Sequence, residues 1–299
     1  MKWPSPFLSM FDYEKAFARN LGWVTQQEQQ RLRTKKIAIA GLGGVGGQYM
    51  MTLARMGIGA FSISDFDRFD WANFNRQAGA FVSTVGRPKL DVMRESVLDI
   101  NPEIALSAFP AGIDRSNLDQ FLSGVDLYVD SLDFFALDIR QAVFKACRER
   151  GIPAITAAPL GMGTAFLAFL PGGMSFDDYF GLAGQPAAEQ ALRFLVGLAP
   201  SGLHAGYLVD KSRVNLQAQE GPSTAMAIQL CAGVASVQAI KLLLGRGHVD
   251  AAPWGMHFDA YTGRLKRTWL PGGHRNPLQK LRLAVVRRMI RSQAPASQA

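Results

Sequence analysis

The stretch Lys36–Gln77, KIAIAGLGGVGGQYMMTLARMGIGAFSISDFDRFDWANFNRQ, decides the fold. Its apolar run Ile37–Ala40 reads as a buried strand that ends in Gly41-Leu42-Gly43-Gly44-Val45-Gly46-Gly47. Glycine lets a backbone turn tightly and approach a ligand with no Cβ in the way. A helix that starts in such a turn aims its unpaired N–H groups and positive dipole end at one point, where a phosphate is favoured. A second apolar run, Phe61–Ser64, ends in Asp65, about where an acidic side chain meets a ribose hydroxyl. The stretch is therefore a nucleotide-binding β-α-β unit. Its glycines satisfy G-x-G-x-x-G and, with Asp65, would equally suit NAD, so the nucleotide stays open at this point.

Outward from this unit, strands and helices alternate. A loop over Phe66–Val85 leads to Gly86-Arg87-Pro88-Lys89, and proline at a first helical position predicts a helix from there to about Ile100. Strands are expected at Ile104–Phe109, Val125–Asp130 and Pro153–Ala157, with helices at Ser116–Leu122 and Ala136–Arg150. That spacing implies an α/β fold: a Rossmann-like, mostly parallel sheet with helices on both faces. Upstream, residues 11–35 form a polar helical segment with Phe17, Leu21 and Trp23 as anchors. After Gly161 the alternation weakens. A strand at Thr164–Leu170 is followed by an irregular crossover over 171–221, which contains one helix at Ala187–Leu198. Two last strands, Gly255–Phe258 and Arg264–Leu270, extend the sheet in antiparallel fashion. The expected divisions are 1–35, 36–271 and 272–299.

Composition narrows the class. Of 299 residues, 48% are apolar and 19% charged, enough for a sizeable core and too apolar for disorder. Cys147 and Cys231 lie far apart in apolar, helix-like surroundings, which excludes a disulfide framework or a four-cysteine zinc site and suits a reducing cytoplasm. The opening MKWPSPFLSMF has prolines and no long apolar core, so no secretory signal is expected. Ser223–Ile240 runs 18 residues without a charge, but its glutamines, and Lys241 directly after, favour a buried helix capped by Ser223 or Thr224 over a transmembrane segment.

The net charge of +8 is uneven: from Arg264 onward there are nine Lys or Arg and no Asp or Glu, leaving the body at −1. In that tail Leu278, Leu281, Val285 and Met289 recur at helical spacing between cations. They predict an amphipathic helix docked by its apolar stripe with its arginines in solvent. An acidic partner, RNA or an anionic membrane surface are the other readings.

The polar loop carries the chemistry. Asp65-Phe66-Asp67, Asn73-Phe74-Asn75-Arg76-Gln77 and Gly86-Arg87-Pro88-Lys89 gather cations, amides and carboxylates within 25 residues. Hydride transfer needs no such set, because the cofactor supplies the chemistry. Phosphoryl or nucleotidyl transfer needs cations against developing phosphate charge and a carboxylate for Mg²⁺. With its double glycine, Asp-x-Asp, Asn-x-x-Arg-Gln and Gly-x-Pro-Lys in that order, the chain resembles the ubiquitin-activating superfamily. Within it, the likeness is to the ThiF/MoeB/HesA-type bacterial adenylyltransferases, over roughly Arg19 to Gly245.

The resemblance implies a homodimer that uses ATP and Mg²⁺ to join AMP to the C-terminal carboxylate of a small ubiquitin-like or sulfur-carrier protein. It assigns Gly41, Gly43, Gly44, Gly46, Asp65, Asp67, Asn73 and Gln77 to the nucleotide. Arg76 and Lys89 meet the phosphates, Asp133 holds Mg²⁺, and Arg19 reaches into a partner subunit's site. Taken singly, each residue also has a structural role open to it: Asp67 and Asp70 as turn caps, Asp133 as a helix cap, Arg76 and Lys89 as solvated charges.

Departures are equally legible. The family's Asn after the Mg²⁺ aspartate is replaced by Phe134, and its arginine five residues on appears as Arg140, seven residues on. No cysteine falls between residues 158 and 225, so no thioester is expected on this chain. The four histidines form no pair at ligand spacing and support no further metal. Competing readings are activation of a tRNA base or a small-molecule carboxylate, an NAD(P)-dependent oxidoreductase, and an idle partner subunit.

Overall fold

The computed structural model describes residues 11–214 and 221–293. The opening ten residues, read above for a signal, lie outside the described residues, as do part of the crossover, the end of the basic tail and the side chain of Arg291. In order along the chain are α1 (Tyr13–Phe17), α2 (Gln26–Arg33), β1 (Lys36–Ala40), α3 (Gly44–Arg55), β2 (Ala60–Ser64), α4 (Lys89–Ile100), β3 (Ala105–Phe109), α5 (Leu118–Phe121) and β4 (Leu127–Asp130). Then follow α6 (Leu137–Glu149), β5 (Ala154–Leu160), β6 (Gly163–Phe169), α7 (Phe176–Phe180), α8 (Ala187–Leu198), α9 (Ala225–Leu244), β7 (Trp254–Asp259), β8 (Arg264–Trp269) and α10 (Pro277–Gln293).

One sheet of eight strands runs β3-β2-β1-β4-β5-β6-β7-β8. Its first five strands are parallel and the remaining pairings antiparallel, as the alternation and its later weakening predict. β1 is covered on both faces, so its apolar run is continuous. Ile37 and Ile39 pack with Met50, Met93 and Cys231 on one side. Ala38 and Ala40 pack with Phe144, Phe176 and Phe194 on the other. Strand order reverses between β1 and β4, which opens a crevice at their carboxyl ends, where α/β sheets hold ligands.

The uncharged stretch forms α9, whose N-terminus is capped by Thr224: its Oγ1 accepts from the Ala227 N–H at 3.3 Å. By length and composition this helix could cross a bilayer. Its Ile228, Cys231, Ala235 and Ala239 are buried in the core, so it is the central helix of the fold.

Several expectations are corrected. Phe17 is buried, but Leu21 and Trp23 are 45% and 84% exposed. The N-terminal segment is anchored instead by Tyr13, whose hydroxyl donates to the Gly57 carbonyl at 2.6 Å, and by Leu32. β5 runs on to Leu160 through Pro159. β4 has ended by then, so the missing proline N–H removes no bond from that side of the ladder. The stripe Leu278, Leu281, Val285 and Met289 of α10 faces outward, each residue at least 44% exposed. The docked face is Leu283 and Val286 against Leu192 and Val196 of α8, locked by Arg287 Nη2, which donates to both Glu189 oxygens at 2.8 and 3.0 Å.

The crossover is fastened to the antiparallel half by a polar cluster. Tyr207 donates to Asp259 at 2.5 Å and accepts from the Met162 N–H at 2.7 Å. His257 is 2% exposed, with Nδ1 3.0 Å from Ser201 Oγ and its ring centroid 5.6 Å from that of His204. The fold thus pairs two histidines that are scattered in sequence. Burial and the neighbouring His204 push the His257 pKa down to about 4, against the pull of Asp259. A histidine whose folded pKa lies below its unfolded value of about 6.5 contributes stability above that pH and loses it as pH falls towards 4. Urea unfolding should therefore show stability declining between those values. His257→Gln should remove up to about 3 kcal/mol of that pH dependence.

Candidate nucleotide site

The glycine turn is held by backbone contacts that only glycine allows. Gly41 sits at φ 90° and its N–H donates to the Ser64 carbonyl at 2.7 Å. A Cβ on Gly41 would meet the Ser131 carbonyl oxygen, and one on Gly46 would overlap the Gly41 carbonyl oxygen. Ser131 Oγ, just past β4, lies 2.7 Å from the carbonyl oxygens of both Ala40 and Gly41. Gly43 caps α3 with no side chain, so no side chain satisfies the first N–H groups of the helix at the crevice.

Asp65 continues the rim from β2. Its Oδ2 accepts from the Leu42 N–H at 2.6 Å and its Oδ1 from the Asp67 N–H at 2.8 Å. Burial raises its pKa, opposed by those two N–H groups and by Lys89. Lys89, at the start of α4, is 6% exposed, and its Nζ lies 2.9 Å from Asp67 Oδ2. The Asp67 side chain is 55% exposed, so the pair has a dry cation and a wet carboxylate.

The loop between β2 and α4 folds back over the turn. Gln77 lies against Gly43, where a Cβ would stand 3.5 Å from its Nε2. Gln77 Oε1 is buried and has no hydrogen-bond partner among the described residues. Arg76 donates through Nη1 to the Ala72 carbonyl at 2.8 Å and to Asn75 Oδ1 at 2.9 Å. Asn75 in turn donates to the Ser223 carbonyl at 2.9 Å, beside the first turn of α9. Asn73, expected at the phosphates, uses its side-chain oxygen to accept from the Asp70 N–H at 3.0 Å. Asp-Trp-Ala-Asn has capping-box spacing, which accounts for that local bond.

Across the crevice Asp133 is exposed and Oδ1 accepts from the Phe135 N–H at 2.9 Å; the N-cap of α6 is Ala136, so Asp133 makes a turn and does not cap the helix. Behind it Arg140, 2% exposed, pairs with Asp130 at 2.9 Å. Its guanidinium also donates to the carbonyls of Leu132 at 2.6 Å, Asp133 at 3.1 Å and Phe134 at 3.2 Å, and lies over the Phe194 ring at 4.6 Å. Asp130 further accepts from Thr156 at 2.8 Å and Tyr128 at 3.1 Å.

Arg19 is exposed, and its neighbour Asn20 donates to the Arg55 carbonyl in the last turn of α3. The glycine turn is at the opposite end of that helix, about 18 Å away for twelve residues. The chain's own fold therefore brings together Gly41, Gly43, Gly44, Gly46, Asp65, Asp67, Arg76, Gln77 and Lys89, and leaves Arg19 apart. Sequence reasoning passed over Ser131 and Asp130, named Asn75 only within its segment and read Arg140 only as a displaced family arginine. Only the place of Ser131 and Asp130 at a strand's carboxyl end could have signalled them.

The donor set fits a nucleoside triphosphate: helix N–H groups at an N-cap with no side chain, the Gln77 Nε2 beside Gly43 and a buried lysine, around a space that a Cβ would fill. No group of three or more metal-ligating side chains occurs among the described residues. Mg²⁺ held mainly by phosphate oxygens would need only one or two carboxylates, and the exposed Asp133 is one that could serve.

The model of the ThiF family matches residues 17–280, and the chain belongs to that family. It is 28% identical over 249 residues to the molybdopterin-synthase adenylyltransferase of Escherichia coli, covering 83% of this chain and 87% of that one. It is 35% identical over 142 residues to the tRNA threonylcarbamoyladenosine dehydratase of Bacillus subtilis, 47% of this chain and 55% of that protein. That match therefore spans only about half the length of the relative. Among solved structures, E. coli MccB with ATP superposes with a TM-score of 0.63 at 19% identity, over 85% of this chain and 70% of that one, which shows the shared fold.

Two substitutions test this construction by urea unfolding. Gly46→Ala should cost about 3 kcal/mol through forced separation of the first turn of α3 from the Gly41 carbonyl at the end of β1. Arg140→Ala should cost about 3–5 kcal/mol, since it strands the Asp130 carboxylate in the core.

Proposed function

We propose that this chain is an ATP-dependent adenylyltransferase acting on the C-terminal carboxylate of a small ubiquitin-like or sulfur-carrier protein. A carboxylate oxygen attacks the α-phosphorus of ATP, the bond to the β-phosphate oxygen breaks, and pyrophosphate leaves with that electron pair. The product is an acyl adenylate open to a later nucleophile. The observation that carries the reading is Lys89, a cation buried at the carboxyl edge of the sheet with an aqueous counter-ion. Burial of a charge is costly unless it is matched, and a phosphate can take the place of an exposed Asp67.

In this reading the N-terminus of α3 and Gln77 hold the phosphates, and Asp65 exchanges one backbone N–H for a ribose hydroxyl. Lys89 and Arg76 offset the negative charge that grows at phosphorus. Mg²⁺ held by Asp133 would neutralise the departing pyrophosphate. Arg19 serves a second copy, which makes a homodimer the working unit. Burial pushes the thiols of Cys147 and Cys231 up to about 12 and 11, so neither is a thiolate at neutral pH and the acyl group is not passed to this chain. A reducing, cytoplasmic setting suits both.

A second reading, ATP-dependent activation of a group on tRNA, is favoured by the identity to the tRNA threonylcarbamoyladenosine dehydratase. Carboxylate-dependent ATP–pyrophosphate exchange separates the two, run with candidate carrier proteins and with tRNA. Exchange with a carrier should fall about 10²-fold or more in Lys89→Ala and in Asp133→Ala. Exchange with tRNA alone would transfer the activity to the second reading. Tight NAD binding with no exchange would overturn both, and ATP binding with no exchange would mark an idle subunit.

A further inference from the structure

The last helix has two faces, and only one is used by the body of the protein. Leu283 is buried against α8, Gln279 is buried as well, and the Arg287–Glu189 pair fixes the helix in place. Burial would raise the Glu189 pKa, but hydrogen bonds from Arg193 and Arg287 hold it below the usual value. The docking is therefore charge-locked as well as apolar.

About a third of a turn away, Leu278, Leu281 and Val285 line up at spacings of three and four with exposures of 61%, 60% and 44%. Helical geometry sets Arg282 on one flank of this row and Arg288 on the other, with Lys280 further round. Pro277 and Ala284 complete the exposed surface over 277–288. It carries aliphatic side chains and cations, with neither a carboxylate nor a neutral hydrogen-bonding side chain. From Arg264 to the end of the chain there is no acidic residue at all.

We propose that this face of α10 is a contact surface for an anionic phospholipid bilayer, lying in the interface while the opposite face stays docked on α8. An aliphatic row between cationic flanks matches acyl chains below and headgroup phosphates beside them. RNA is a poorer match, because single-stranded recognition stacks bases on aromatic rings and this row has none. A protein groove presents hydrogen-bond donors as well as acceptors, and this face has no acceptor side chain to meet them. The contact is peripheral: three aliphatic side chains and a few cations give a reversible association.

The test is co-sedimentation of the full chain with phosphatidylcholine vesicles, with and without a minority of phosphatidylglycerol. Binding to the anionic vesicles should exceed binding to the neutral ones by about tenfold or more. Leu278→Ser with Leu281→Ser, and separately Lys280→Ser with Arg288→Ser, should each weaken it by about tenfold. Unchanged melting temperature and ATP binding would show that both variants are folded. If the serine pair at the leucines lowers melting, Leu278→Ala with Leu281→Ala replaces it. Failure of the full chain to sediment with anionic vesicles overturns the proposal. So does a leucine variant that binds as well as the parent while the cation variant does not, because attraction to any polyanion, an acidic protein or RNA included, would then account for the face.

Discussion

Three pieces of backbone meet at the glycine turn at distances that exclude a side chain. The end of β1, the first turn of α3 and the end of β4 converge on the carbonyl of Gly41, with Ser131 Oγ 2.7 Å from it and Gly46 pressed against it. This approach ties α3 to the sheet at a fixed angle and directs the helix N-terminus at the crevice. β2 joins the same knot through Asp65, whose carboxylate accepts from Leu42 inside the turn. The turn's position relative to β2 and β4 is thus set before any ligand arrives, which lowers the ordering cost of binding one.

The two ion pairs at the site differ in kind, and the difference is one of solvent. Asp130 and Arg140 are both 2% exposed, and their remaining hydrogen-bonding capacity is used by Thr156, Tyr128 and three loop carbonyls. Such a pair resists change, because separating it leaves a charge in the core. It fixes the loop that carries Asp133. Lys89 and Asp67 are bonded just as closely, but Asp67 can return to water when Lys89 takes another anion. One pair builds the rim and the other is free to exchange partners.

Much of this was readable in the chain. The strands β1 to β4 and helices α3, α4 and α6 appear within a few residues of their expected limits, because apolar runs, glycine and proline are local signals. The site residues near Gly41 and Lys89 come together because parallel strands deliver them to one edge. Contacts between distant residues were not readable. Arg140 looked like a misplaced family arginine, and only the folded loop between β4 and α6 shows it gripping three carbonyls. The histidine pair and the outward stripe of α10 failed for the same reason. α10 has apolar residues on both faces, and the choice between them was made by Leu192, Val196 and Glu189 on α8.

The first turn of α9 ties the glycine turn to the crossover. Ile228 presses on Gly44, where a Cβ would lie 2.9 Å from its Cδ1, so α9 underlies the start of α3. Ser223 accepts from Asn75, the residue that also steadies Arg76, and Thr224 donates to the Gly161 carbonyl at 3.1 Å. Gly161 opens the β5–β6 hairpin and abuts Tyr207 and His204 of the crossover. The crossover is therefore joined to Asn75 and Arg76 by a chain of contacts through Gly161, Thr224 and Ser223, at the entry to α9.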